Sequence, residues 1–182
     1  AEVQKAVTLI HGASDSLTTM VREIVEYVQL ESNPHLNVIL TDLNGIVNAV
    51  IAELKDESTK KNVSLRFENF ETVNVSVDPE KIKSALKHLV ADSLKRSPQG
   101  SVIDCKIRSS KEGSTFELSR EGEPMSQEAM TALETGQSQL HHQRNLGLGL
   151  AFCRTIIERH KGKMKIESEG SKTKVVLEIP KN

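Results

Sequence analysis

The sequence predicts an α+β chain: one long helix, then a two-layer domain with helices on one face of a mixed sheet. Three observations predict it. An aliphatic seam with alternating spacings of four and three runs from residue 3 to residue 28. Beyond it, short stretches of alternating apolar and polar residues mostly adjoin one another instead of alternating strictly with helices. The helical stretches among them carry a single apolar stripe, as a helix lying on a sheet requires.

Each element follows from local chemistry. The seam is Val3, Val7, Ile10, Ser14, Leu17, Val21, Ile24 and Val28. Such a two-per-heptad stripe is that of coiled coils and four-helix bundles, and it needs a partner helix. Glu31-Ser32-Asn33-Pro34-His35 ends the helix, because Pro34 has no N–H to give. Thr41 or Asp42 caps a second helix with Leu43, Ile46, Val47, Val50, Ile51 and Leu54 on one face. Val63–Phe67 and Val73–Val77 alternate as half-buried strands do. Asp78-Pro79 pairs an N-cap with proline at the first helical position. The helix it opens runs to about Arg96, with Ile82, Ala85, Leu86, Leu89, Val90 and Leu94 inward. Strands Val102–Arg108 and Thr115–Ser119 are joined by a turn at Lys111-Glu112-Gly113. Residues 121–146 are polar, with a short helical stretch around Gln127–Leu133. A helix over Leu148–His160 and strands Met164–Ser168 and Lys174–Ile179 close the chain. Residues 1–35 and 36–182 are thus expected to form separate units, the second folding with its own core.

Composition narrows the function classes. A net charge of −1 points to neither a nucleic-acid nor a membrane partner for this segment. No run reaches the roughly 18 apolar residues of a membrane span, so a cytoplasmic setting is expected. Because the chain opens within a helical pattern, it reads as a piece of something longer, and the expectation of no membrane span applies to this segment and not to its parent. Cys105 and Cys153 have no metal or redox spacing and are expected to be buried thiols. The pair His141-His142 lies in the polar stretch without a third ligand nearby, so no metal site is expected there.

The helix from Asp78 through Asp92 to Pro98 resembles the asparagine-box helix of sensor histidine kinases. Asn145-Leu146-Gly147-Leu148-Gly149-Leu150-Ala151 resembles their second glycine box, and Ser119-Arg120-Glu121-Gly122-Glu123-Pro124 their first. Leu30-Glu31-Ser32 and Thr41-Asp42-Leu43-Asn44 resemble the junction between dimerisation helices and ATP-binding domain. The resemblance spans the chain in order. It implies the GHKL (Bergerat) sandwich preceded by the second dimerisation helix, with a lid over Gly136–Arg144. His11 is followed by Gly12-Ala13-Ser14 and so lacks the charged surroundings of a phosphoacceptor.

The resemblance also marks what has changed. His88, Asp92 and Lys95 fall at i, i+4 and i+7 on one helix face, which the resemblance sets against the nucleotide phosphates. The family has Asn at the first two positions; Asp92 would be an oxygen ligand for magnesium only if Mg-ATP binds, and without the metal its charge repels a triphosphate, while Lys95 would meet a phosphate as a point charge. Arg120 stands where the family has an Asp that accepts from the adenine amino group, so donor would meet donor. Pro124 replaces a glycine, whereas Gly122, Gly147 and Gly149 are kept. The expected function is therefore a pseudo-histidine kinase of a two-component system, with degenerate nucleotide contacts and no cofactor. It would form a homodimer, or a heterodimer with another histidine kinase, and bind a response regulator or other signalling protein. The alternative is a divergent active kinase that binds Mg-ATP and phosphorylates a histidine outside this segment.

Overall fold

The computed structural model describes residues 2–33, 35–69, 71–127, 130–131 and 148–181. They divide into two compact units, Ala1–His35 and Leu36–Asn182.

The first unit is helix α1, Glu2–Ser32. The seam residues Val7, Ile10, Leu17, Val21, Ile24 and Val28 are all exposed on the single chain, Ile10 and Leu17 by 68% and 63%. His11 is exposed as well. The side chain of Val3 lies outside what is described. Among the described residues no helix is long and apolar enough to cross a membrane.

The second unit runs β1 (Ile39–Asp42), α2 (Leu43–Glu53), α3 (Lys55–Lys61), β2 (Ser64–Phe67), β3 (Asn74–Val77), α4 (Pro79–Arg96), β4 (Val102–Ser109), β5 (Gly113–Glu121), α5 (Leu148–Arg159), β6 (Lys163–Glu169) and β7 (Lys172–Pro180). Two elements depart from the sequence expectation. Strand β1 was not expected: it has four residues and no alternating burial, and only antiparallel pairing with β3 defines it. The second helix breaks at Leu54 into α2 and α3, yet Leu54 stays buried on the expected face. Of the two candidate caps, Asp42 is the one used, its carboxylate accepting from the Asn44 N–H at 3.0 Å. Asp78 caps α4 in the same way through the Lys81 N–H at 3.1 Å, with Pro79 following. Of the helix expected over Gln127–Leu133, the described residues Gln127, Met130 and Thr131 are helical; the Gly136–Arg144 lid, with His141 and His142, lies outside the described residues.

Five strands form the main sheet in the order β2-β4-β5-β7-β6; β2 and β4 run parallel and every other neighbour is antiparallel. This is the mixed sheet of a GHKL-type α+β fold. Alternation sends Ile103, Cys105 and Ile107 of β4, Phe116 and Leu118 of β5, and Val175, Leu177 and Ile179 of β7 to one buried face. Ile82, Leu86, Leu89, Val90 and Leu94 of α4 and Leu150, Phe152, Cys153, Ile156 and Ile157 of α5 complete the core. Burying each large aliphatic side chain contributes about 1.5–3 kcal/mol. Burial also pushes both thiols, Cys105 and Cys153, up to about 12, which leaves them unreactive near neutrality.

Candidate functional site

The buried face of the sheet is not apolar to its end. Ile103 of β4 registers with Arg120 of β5, and Arg120 with Thr173 of β7. Arg120 continues the inward alternation of Phe116 and Leu118, so the strand's own periodicity carries a guanidinium into the core rim, where it is only 4% exposed. Its Nη1 donates to the Glu123 carbonyl at 2.9 Å. Its Nη2 is buried and has no hydrogen-bond partner among the described residues. Burial draws its pKa below the usual arginine value; the nearby Asp92 carboxylate opposes that shift and Arg96 adds to it. Arg120 and Asp92 are therefore electrostatic neighbours, one on β5 and one on α4.

Asp92 is itself engaged. Both of its oxygens accept from Arg96 Nε, at 3.1 and 2.9 Å, in a half-buried i,i+4 pair. Asp92 is thus the one carboxylate here that could offer magnesium an oxygen, and its pairing with Arg96 competes with that role; any further ligands would be water or phosphate. No cluster of three metal-ligating side chains occurs among the described residues.

The turn after β5 is held against the end of α4. The Glu123 N–H donates to the Arg96 carbonyl at 3.2 Å, and the Gly122 N–H to Ser171 O at 2.8 Å. Gly122 has φ +134°, and a Cβ there would lie 2.3 Å from the Arg96 carbonyl oxygen. Only glycine satisfies both the dihedral and the approach.

Along α4 the three candidate residues His88, Asp92 and Lys95 differ in their surroundings. His88 is half-buried and packs edge-on against Phe152 of α5, with ring centroids 4.9 Å apart at 66°. Gly149, at the start of α5, leaves room for that ring: a Cβ there would come within 3.2 Å of His88 Nδ1. Lys95 is exposed. The structure thus sets Arg120 within electrostatic reach of Asp92, His88 against Gly149 and Gly122 against Arg96, and leaves Lys95 exposed. Gly147 lies outside the described residues. Pro124 is exposed just beyond the turn.

Three participants were missed from the sequence: Arg96, Glu123 and Phe152. Arg96 carried a signal, since it is four residues from Asp92 on the same helix. Glu123 takes part through its carbonyl and Phe152 through ring packing, and neither leaves a sequence pattern.

A donor-only side chain buried at the rim, near a carboxylate already paired, offers no acceptor to an amino group and an unsatisfied Nη2 group to an acceptor.

The family model described as "Histidine kinase-, DNA gyrase B-, and HSP90-like ATPase" matches residues 77–182. Among curated proteins, the chain is 28% identical over 171 residues to "Sensor protein KdpD" of Clostridium acetobutylicum, covering 90% of this chain and 19% of that protein. It is 24% identical over 183 residues to "Sensor histidine kinase ZraS" of Escherichia coli K12, covering 100% of this chain and 38% of that one. The chain therefore spans well under half the length of these relatives. Among solved structures it resembles histidine kinase ThkA, crystallised with the response regulator TrrA, with TM-score 0.79, 24% identity, and coverage of 99% of this chain and 52% of that one. It also resembles the Acinetobacter baumannii histidine kinase AdeS, with TM-score 0.75, 19% identity, and coverage of 97% and 84%. With caps, sheet order and glycine turn in place and the family model matching more than half its length, the chain belongs to the histidine kinase-, DNA gyrase B- and HSP90-like ATPase family, as a C-terminal region of the sensor histidine kinase type.

Proposed function

We propose that this chain is the non-catalytic signalling module of a two-component system, a pseudo-histidine kinase that works by dimerising and binding protein partners. The observation that carries the reading is the buried Arg120 guanidinium, bonded to the Glu123 carbonyl and neighbouring Asp92. By resemblance it occupies the place of the family's adenine-accepting Asp. A buried donor facing a donor costs about 1–3 kcal/mol, and a charged one more. Pro124 in the glycine turn and His88 turned against Phe152 remove further contacts. The α1 seam supplies the dimer, with itself or with another histidine kinase. A response regulator is the natural class of partner, ThkA being a related fold crystallised with one.

One observation favours the alternative, a divergent active kinase that takes Mg-ATP. The Gly122 turn keeps its tight approach to α4, so the backbone of the turn is intact even though its side chains have changed. Calorimetric titration with Mg-ATP separates the two: the pseudokinase reading expects weak binding or none.

A further inference from the structure

The main sheet has two edges, and they differ. At one, β2 is four residues long and its Arg66 is paired with Asp104 at 3.4 Å. At the other, β6 runs for seven residues, Lys163–Glu169, and pairs with β7 on one side. Among the described residues no strand lies on its other side, and no backbone group of β6 bonds outside the β7 ladder. The Met125 N–H meets β6 at the Ser168 hydroxyl, at 3.2 Å. Alternation sends Met164, Ile166 and Ser168 toward the core. Lys163, Lys165, Glu167 and Glu169 go to the outer face, where all four are exposed. The outer row is therefore cationic at its first end and anionic at its last. Ion pairs within the chain do not cancel this. Lys165 bonds Glu178, and Lys174 bonds Glu117. With those pairs set aside, Lys163 is left over at the first end, and Glu167 and Glu169 have only Lys172 beside them on β7 at the last. Among the described residues Lys163, Glu167 and Glu169 form no ion pair.

We infer that this edge pairs with the same edge of a second copy of the chain, antiparallel about a two-fold axis at Ile166, so that two five-stranded sheets become one. An open edge is a template for such strand addition. The arrangement sets Ile166 opposite its own counterpart, Lys165 opposite Glu167 and Lys163 opposite Glu169, each charge pair occurring twice by symmetry. Opposite charges directly across a strand pair stabilise it, and like charges destabilise it. The same rule excludes the neighbouring registers. A slip of two residues sets Lys165 against its counterpart in one direction and Glu167 against its counterpart in the other. A slip of one sets the outer row of one copy against the inner row of the other. Parallel pairing in register sets every charge against its own kind. An edge complementary to itself in one register is committed to a second copy, and the two-fold axis closes the contact after two chains. Cross-strand charge pairs are individually small, so the contact is weak alone and is read by trapping, not by size. It is independent of the α1 seam and of whether the nucleotide pocket is functional.

The test is cross-linking of the full 182-residue chain carrying Leu17→Glu, so that the α1 seam contributes nothing. Cys105 and Cys153 are buried, so a cysteine added on β6 is the reactive thiol. In the paired edge, Lys165→Cys and Glu167→Cys each lie on the cross-strand diagonal from their own counterpart, about 7–8 Å away. Lys163→Cys lies six residues from its counterpart, about 20 Å away. With a bismaleimide just long enough for the diagonal, Lys165→Cys and Glu167→Cys are expected to cross-link at least about fivefold faster than Lys163→Cys, which only random collision brings together. Adding Glu169→Lys to the Glu167→Cys chain should slow its cross-linking about fivefold, because both symmetric Lys163–Glu169 pairs become repulsive. Adding Lys163→Glu as well should restore the rate, because the pair returns with its signs exchanged. All four positions are exposed, and a thermal melt checks that each variant is folded. A rate at Lys163→Cys equal to or above the other two, no cross-link at about 1 mM protein, or a rate that Glu169→Lys leaves unchanged or Lys163→Glu does not restore would overturn the inference.

Discussion

His160 Nε2 accepts the backbone N–H of Asp78 at 2.9 Å, joining residues 82 positions apart. The ring is buried, and its Nδ1 lies 2.8 Å from Ile156 O, so Nδ1 carries the proton and donates to that carbonyl. Asp78 in turn accepts from Lys81 and Asn37 N–H with its two carboxylate oxygens. One imidazole thus pins the first turn of α4 to the last turn of α5. His160→Leu keeps the volume and strands the Asp78 N–H. It should cost about 1–3 kcal/mol in urea unfolding. A loss below about 0.5 kcal/mol would mean that water reaches the N–H.

The two glycines of the site should respond differently to alanine. Gly122→Ala puts a Cβ 2.3 Å from a backbone carbonyl at φ +134° and must displace the turn from α4; a loss of more than about 2 kcal/mol is expected. Gly149→Ala meets the His88 side chain first, its ring Nδ1 at 3.2 Å and its Cβ at 3.3 Å. Its smaller loss should be partly recovered in the double variant with His88→Ala, because the two changes share one contact. Additive losses in that cycle would contradict the assigned packing.

Glu53, at the end of α2, is held by Lys83 at 2.6 Å and Lys87 at 2.9 Å on α4. The Lys83 hydrogen bond first and the Lys87 bond second hold its carboxyl well below its ordinary 4.5, at about 2. A depressed carboxylate stabilises the folded chain above its unfolded pKa and loses that contribution as pH falls through the folded value. The stability difference between wild type and Glu53→Gln should therefore be steady above pH 4.5 and fade between 4.5 and about 2. The pair is at the surface, so the difference should be small and should shrink in salt. A difference independent of pH would contradict the pairing.

How much was legible in the sequence depends on what each residue works through. Asp78-Pro79 announced α4 because cap and proline act within one turn. The helix from Leu148 and the last two strands were visible from periodicity alone. β1 was not, since Ile39 and Leu40 stay exposed and only pairing with β3 defines the strand. The same limit applies at the site. Spacing placed His88, Asp92 and Lys95 on one helix face, but their directions depend on Phe152 and Arg96. Arg120 was identified from its place in the glycine turn; its burial follows from β5 continuing inward past Leu118.

The exposed α1 seam predicts self-association. Leu17→Glu puts a charge at its centre, and burying an unpaired charge is strongly unfavourable. Light scattering should find a dimer population in wild type and none in Leu17→Glu, with thermal unfolding of residues 36–182 unchanged. Wild type that stays monomeric at high concentration would contradict the seam's role.

The central claim is that Arg120 and its neighbours have closed the domain to ATP. Calorimetric titration with Mg-ATP and a non-hydrolysable analogue tests it most directly. Two lost contacts at about 1–3 kcal/mol each move a micromolar site toward millimolar. The account predicts no saturable binding tighter than about 50 μM in wild type, and partial recovery in Arg120→Asp with Pro124→Gly, which restores an acceptor and a glycine. Saturable binding by wild type below that concentration would contradict it and establish a functional nucleotide site.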